Sequence, residues 1–207
     1  MKKLVATLVS GGVALCVAGC STDSEPKAVR AVANETSTAQ PTRDPDAPLE
    51  KKVGERAYWG CTKRFDTTAE AEQDCALVFT VTDIADIDPS DCSSYDLEGN
   101  DGARIVRVSI DADARKALPG VTPRSSPAGV LITQFWGGVS QDGYVTAGET
   151  MYSCGDLDTP DYGPFHQTLA IGRKGRGTMS FALPANSVKL NLAYFDSPGW
   201  EWNLPSH

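Results

Sequence analysis

Hydrophobic and polar residues alternate in several short runs between residue 51 and the end of the chain. Alternation with a period of two places every second side chain on the same face of a β-strand. Four strands are therefore predicted, each with one apolar face. The residues predicted to face inward are Leu77, Phe79 and Val81, then Val106, Val108 and Ile110, then Met179, Phe181 and Leu183, and finally Val188, Leu190, Leu192 and Tyr194.

Turn-forming sequences separate these runs, among them Asp142-Gly143 and the stretches 99–102, 184–186 and 197–199. Residues 130–136 are apolar nearly throughout, which predicts a central strand. The segments 66–74 and 111–118 are the two places where a short helix is expected. Because no long helix separates the strands, residues 51–207 are predicted to form an all-β, antiparallel β-sandwich domain.

The segment before this domain has a different composition. Residues 20–50 are rich in Pro, Ser, Thr, Asp and Ala, contain no aromatic residue, and have only Val29, Val32 and Leu49 as larger aliphatic residues. Such a stretch cannot bury enough apolar surface to offset the entropy lost on ordering. It is predicted to be a disordered linker.

Residues 1–19 have the organisation of a signal peptide, with Lys2 and Lys3 followed by an apolar run that is too short for a permanent membrane span. Val17-Ala18-Gly19-Cys20 resembles the lipobox of bacterial lipoproteins. This resemblance implies cleavage before Cys20, lipidation of Cys20, and anchoring to the extracytoplasmic face of the cell membrane. The alternatives are an ordinary signal peptide with a chance cysteine and an uncleaved anchor.

Four cysteines remain in the predicted domain, namely Cys61, Cys75, Cys92 and Cys154. An even number in an exported chain predicts disulfides, because the compartment is oxidising. No two of them have the close spacing typical of a structural zinc site, so no metal is expected. Of the three possible pairings, Cys61–Cys75 with Cys92–Cys154 is favoured.

The charge of the chain argues against nucleic acid as a partner. Nineteen Lys and Arg against 27 Asp and Glu give a formal charge of −8, whereas nucleic-acid binding needs a cationic surface. Residues 173–177 form the one basic cluster and are predicted to be a charged hairpin loop, with contact to anionic headgroups or cell-wall phosphates as the alternative.

Residues that could support chemistry are few. His166 could act as a general base, but a surface histidine is the favoured interpretation; Ser140 lacks the glycine of a nucleophile elbow. The acidic stretch 96–101 does not have the EF-hand spacing. Trp200 and Trp202, which flank Glu201, are expected to close the core or, alternatively, to form an aromatic platform. No catalytic residue and no cofactor are therefore predicted.

From about residue 53 onward, the layout resembles small secreted or lipid-anchored bacterial proteins with an immunoglobulin-like sandwich, of the mycobacterial secreted-antigen type and related uncharacterised lipoprotein domains. The resemblance is carried by residues 77–82, 104–110, 175–184 and 188–194. It implies a non-enzymatic module that binds a protein or an envelope component. The alternatives are an envelope hydrolase that uses His166 and a purely structural envelope protein.

Overall fold

The structure is a computed structural model, and it describes residues 44, 47–62, 68–120, 126–152, 154, 169–195 and 198–206. Ten strands account for most of the secondary structure in these residues. In chain order they are β1 (Leu49–Lys51), β2 (Arg56–Trp59), β3 (Leu77–Asp86), β4 (Arg104–Ala114), β5 (Trp136–Ser140), β6 (Val145–Ala147), β7 (Glu149–Met151), β8 (Arg173–Leu183), β9 (Ser187–Leu192) and β10 (Trp200–Asn203). The two α-helices in the same residues are short, α1 (Thr68–Asp74) and α2 (Ser94–Leu97).

The strands form two five-stranded sheets, which confirms the predicted all-β fold. We call the sheet with order β1-β10-β9-β5-β6 sheet A and the sheet with order β2-β3-β4-β8-β7 sheet B. Neighbouring strands are antiparallel except β1 and β10, which pair in parallel. Strand β1 begins at Leu49, within the segment 20–50 that precedes the predicted domain. The side chain of Leu49 packs against the core.

The order of the strands is that of an immunoglobulin domain. Strands β3, β4, β8 and β7 are arranged as the A, B, E and D strands of such a domain, and β10, β9, β5 and β6 as its G, F, C and C′ strands. Trp136 is buried at the start of β5, on the strand where antibody domains bury a tryptophan. The disulfide that joins strands B and F in antibodies has no counterpart, because neither β4 nor β9 contains a cysteine.

Period-two alternation is clearest in β4, where Val106, Val108 and Ile110 are fully buried between the sheets. They pair with Phe181, Met179 and Gly177 of β8, so the inward faces of both strands line up. The predicted inward positions of β3 and β8 are buried as well. In β9 the prediction is right for Leu190 and Leu192 but wrong for Val188, which is 42% exposed and lines an open cleft with Ala185 and Pro205.

Residues 130–136 are not a central strand. The structure has two 3₁₀ turns, Pro127–Leu131 and Thr133–Phe135, and β5 begins only at Trp136. Pro127 begins the first turn, and Ser126 accepts a hydrogen bond from the amide of Ala128. A continuous apolar run does not distinguish a strand from a buried turn by its period, which explains the error.

Two further predictions are corrected. Residues 111–114 belong to β4 rather than to a helix. The basic cluster 173–177 is the first half of β8 and not a hairpin loop. Its inward positions are Gly175 and Gly177, which lie opposite Ala112 and Ile110, so the sequence there carries almost no hydrophobic alternation. The predicted helix at 66–74 is confirmed by α1 over its described part, Thr68–Asp74.

The four cysteines form two disulfides in the favoured pairing, Cys61–Cys75 and Cys92–Cys154. The first closes the segment that contains α1. The second joins two segments beside the outer face of sheet B, where Cys154 packs with Ile105, Met151 and Ala182 in a small second core. Each bond stabilises the fold by on the order of 3–4 kcal/mol, because it lowers the conformational entropy of the unfolded chain.

Arg104 closes one end of the sandwich. Its guanidinium is almost completely buried, bonds both carboxylate oxygens of Asp86 at 2.7 and 2.9 Å, and donates to the carbonyl oxygens of Ser187 and Pro205 at 2.9 and 2.6 Å. The last residue of β3, the start of β9 and the segment after β10 are thereby held at a single side chain. A buried guanidinium is tolerated only when it is paired in this way.

We predict that Asp86→Ala lowers the free energy of unfolding by about 2–3 kcal/mol, because it leaves a buried positive charge without its carboxylate. Asp83 has an exposed carboxylate on the same strand. The Asp83→Ala substitution should change the free energy of unfolding by less than about 0.5 kcal/mol. Urea denaturation followed by tryptophan fluorescence measures both. Equal effects of the two substitutions would contradict the role given to Asp86.

Candidate functional site

One end of the sandwich gathers the loops that antibody variable domains use for recognition. Leu192, the last residue of β9, pairs with the first residues of β5 and β10, Trp136 and Trp200. The connections β4–β5 and β9–β10 therefore lie at this end, which we call the loop end. They correspond to the B–C and F–G loops, two of the three antigen-binding loops of variable domains.

A chain of aromatic side chains runs from the core to the surface at the loop end. We call Trp59, Phe135, Tyr194 and Phe195 the aromatic ladder. Trp59 contacts the core residue Trp200, with ring centroids 5.9 Å apart. The ladder continues through Trp59–Tyr194 at 5.2 Å, Tyr194–Phe135 at 4.6 Å, Phe135–Phe195 at 5.6 Å and Tyr194–Phe195 at 4.6 Å. These edge-to-face pairs fix the rings relative to one another.

Phe195 is the outermost member of the aromatic ladder, and its side chain is 76% exposed. Its backbone has a φ of 46°, and among the described non-glycine residues it is the one with a positive φ. For a bulky residue this left-handed conformation costs about 1–2 kcal/mol. Strained backbone conformations of this kind cluster at functional sites, which makes Phe195 the candidate site residue.

Ala193 and Gly199, which lie on either side of Phe195 in the chain, make defined backbone contacts. The amide of Ala193 donates to the carbonyl of Phe135 at 3.1 Å, which joins the two loops of the aromatic ladder. Gly199 has a φ of 73°, and a Cβ atom there would lie 2.3 Å from the carbonyl oxygen of Leu192. The amide of Leu49 donates to the carbonyl of Gly199 at 3.0 Å.

The segment with α1 is also tied down near Trp59. The Cys61–Cys75 bond follows Trp59 closely in the chain. The carboxylate of Asp74 accepts hydrogen bonds from the hydroxyl and the amide of Thr62 at 2.5 and 2.8 Å, and these bonds lower the pKa of Asp74. The disulfide and the Thr62–Asp74 bonds together close one loop.

Among the residues that the structure describes, the others that the sequence singled out do not converge on a reactive centre. Ser140 bonds the carboxylate of Asp142 and the backbone of Tyr144 within the β5–β6 turn. Asp88 caps a 3₁₀ turn through Ser90. No group of three or more His, Cys, Asp or Glu within the described residues could hold a metal ion. His166 and Cys20 lie outside the described residues.

Trp200 and Trp202 are buried, so their predicted role in closing the core is confirmed. The sequence predictions did not assign a special role to Phe195 or to Arg104. For Arg104 a signal was available, because position 104 has the same parity as the inward positions 106, 108 and 110. An arginine at an inward position predicts a buried ion pair. Nothing in the sequence around Phe195 indicates its backbone conformation.

Comparisons with known proteins add one similarity. No family model and no curated protein matches the chain. Among solved structures, the chain is similar to MPT63, a secreted protein from Mycobacterium tuberculosis. The sequence identity is 12% and the TM-score is 0.42, over 75% of this chain and 97% of that one. The immunoglobulin-like architecture is assigned from the strand order itself.

We predict that Phe195→Gly is more stable than Phe195→Ala by about 1 kcal/mol, because glycine adopts a positive φ without strain. At a position with an ordinary φ the order would be reversed. Thermal or urea denaturation of the two variants decides the sign. A more stable alanine variant would show that residue 195 is not held in the left-handed region.

Proposed function

We propose that this protein is a non-enzymatic interaction module, held on the extracytoplasmic face of the cell membrane by a lipid on Cys20, and that the aromatic ladder is its contact surface. The observation that carries this proposal is Phe195, whose side chain is exposed and whose backbone is strained. Interface residues that contribute most of a binding energy are enriched in aromatic side chains, and fixing a side chain before binding lowers the entropic cost.

A protein is the partner that fits this surface best. The rings of the aromatic ladder meet edge to face, with interplanar angles of 63–80°, so the ladder does not form the flat platform on which a sugar stacks. Phe195 instead projects as a single ring. A projecting ring is complemented by an apolar pocket, which a folded protein provides.

The predicted lipid at Cys20 supports the location part of the proposal. Within the described residues, no helix is long and apolar enough to cross a membrane. The proposed lipid would supply the attachment, and stable attachment takes two acyl chains or one chain with a second signal. The composition of the predicted linker between Cys20 and the domain would let the domain reach partners away from the bilayer.

The partner can be sought by placing a photo-crosslinking amino acid at position 195 in the native cell. Tyr144 provides a matched control, because its side chain is 73% exposed and it lies in the β5–β6 turn, away from the loop end. We expect a discrete protein adduct from position 195 and none from position 144. For the purified partner, Phe195→Gly should weaken affinity by about thirtyfold or more, as removal of a central aromatic contact does.

The Tyr144→Ala variant should leave that affinity unchanged. Equal affinity of the Phe195→Gly variant and the unaltered protein would exclude the aromatic ladder as the contact surface. Hydrolase activity that is lost on His166→Ala would instead favour the enzymatic alternative.

We predict that Cys20→Ala moves the protein out of the membrane fraction, because the proposed acyl chains are its attachment. Mass spectrometry of the unaltered protein should find an acylated N-terminal cysteine at position 20. Retention of the variant in the membrane fraction would overturn the lipid anchor and leave the role of the aromatic ladder to its own test.

A further inference from the structure

The outer face of sheet B carries a groove of about 530 Å³ that the proposed contact surface does not use. Its floor is formed by side chains of β3, including Val78 and Thr80. Four cationic side chains and two carboxylates surround the floor, and they are Arg56, Arg115, Lys174 and Arg176 with Asp111 and Asp113. The basic cluster that the sequence singled out thus contributes one wall of a concave surface.

Both carboxylates of the groove are already held by cations. Asp111 accepts two hydrogen bonds from the guanidinium of Arg176, at 2.6 and 2.9 Å, and this contact lowers the pKa of Asp111. Asp113 pairs with Arg115 at 3.0 Å and also lies 3.9 Å from the ammonium of Lys174. Two cations therefore share one carboxylate at this end of the groove, and the positive charge is in excess there.

The cations can contact a ligand without leaving a buried charge behind. The side chains of Lys174 and Arg176 are 81% and 82% exposed, and that of Arg56, which pairs with Glu72 of α1, is 54% exposed. Exposed ion pairs contribute little to stability and rearrange readily. On a chain with a formal charge of −8, this local excess of positive charge attracts anions to one face.

The pairing of the strands fixes the spacing of the charges. Arg56 pairs with Thr80, Thr80 with Asp111, and Asp111 with Arg176, so these four residues form one row across β2, β3, β4 and β8. Three strand spacings separate the two arginines at their Cα atoms, a distance of about 14 Å. The cations of the groove are therefore spread across four strands, so a chain with several anionic groups can contact them at the same time.

We propose that this groove binds an extended phosphate polyanion, with Lys174 and Arg176 on one side and Arg56 and Arg115 on the other as the phosphate contacts. A guanidinium can donate two parallel hydrogen bonds to one phosphate group. This geometry favours direct binding of phosphate over nonspecific accumulation of anions near the surface. The proposal is independent of the aromatic ladder, because the two surfaces share no residue.

The test measures binding of inorganic polyphosphate to the full chain in detergent by isothermal titration calorimetry, with glycerol 3-phosphate as the single-phosphate probe. Polyphosphate should bind about tenfold or more tightly per phosphate group than glycerol 3-phosphate, since several contacts act together. Its affinity should fall as salt is added. Equal affinity per phosphate group would overturn the claim of an extended ligand.

Substitutions assign the binding to the groove. Lys174→Gln and Arg176→Gln should each weaken polyphosphate binding by about fivefold, the effect of one cation near an anionic surface. Lys189→Gln removes the same charge from sheet A, where Lys189 pairs with Glu50 and Glu201, and should change the affinity by less than about twofold.

A further variant has an effect of opposite sign. Asp111→Asn removes a competing carboxylate and frees Arg176, so it should strengthen polyphosphate binding by about threefold or more. A mutation that merely damaged the fold would not increase affinity. Unchanged binding in both the Lys174 and the Arg176 variant, or weaker binding in the Asp111 variant, would overturn the proposal.

Discussion

The structure depends on the packing of two sheets across a core that is filled by aromatic rings. Trp136 of β5 stacks between Phe181 of sheet B and Trp202 of β10, with centroids 5.7 and 5.8 Å apart. Trp200 meets Phe79 of sheet B edge to face at 5.2 Å. Rings of this size bury large apolar areas and keep the sheets at a fixed separation. The inward residues of each core strand must therefore be apolar and must fit between the two sheets.

That requirement moves polar side chains to the outer faces and the ends. In β4 the inward residues are apolar, and the outward residues Asp111 and Asp113 line the groove of sheet B. Arg104 is the exception, since it lies at an inward position yet carries a charge. It is accommodated because Asp86 and two backbone carbonyls satisfy it at the edge of the core. The same alternation thus gives the core, the groove and the closed end.

The two proposed surfaces differ in their physical character. The aromatic ladder extends the core to the surface through edge-to-face contacts. It ends in Phe195, and the burial of apolar surface does not explain why this side chain is exposed. The groove is formed by charges that the sheet displays at fixed spacing. A single exposed apolar ring fits a protein pocket of matching shape. A row of exposed cations attracts any polymer with repeating anionic groups, so it is less specific. With both proposed surfaces, one domain would bind a protein and a polyanion at separate sites.

The sequence by itself determined the all-β class and the inward faces of β3, β4 and β8, because alternation is a local property of the chain. It favoured one of three possible cysteine pairings, and the structure confirmed that pairing. Only the tertiary structure decided that residues 127–135 turn rather than extend, that the basic cluster belongs to a strand, and which groups pair with Arg104. It alone brought Phe135 and Phe195 together and placed Arg56 in one row with Arg176. These features depend on strand order and register between segments far apart in sequence, and a local pattern of hydrophobic residues contains no information about either.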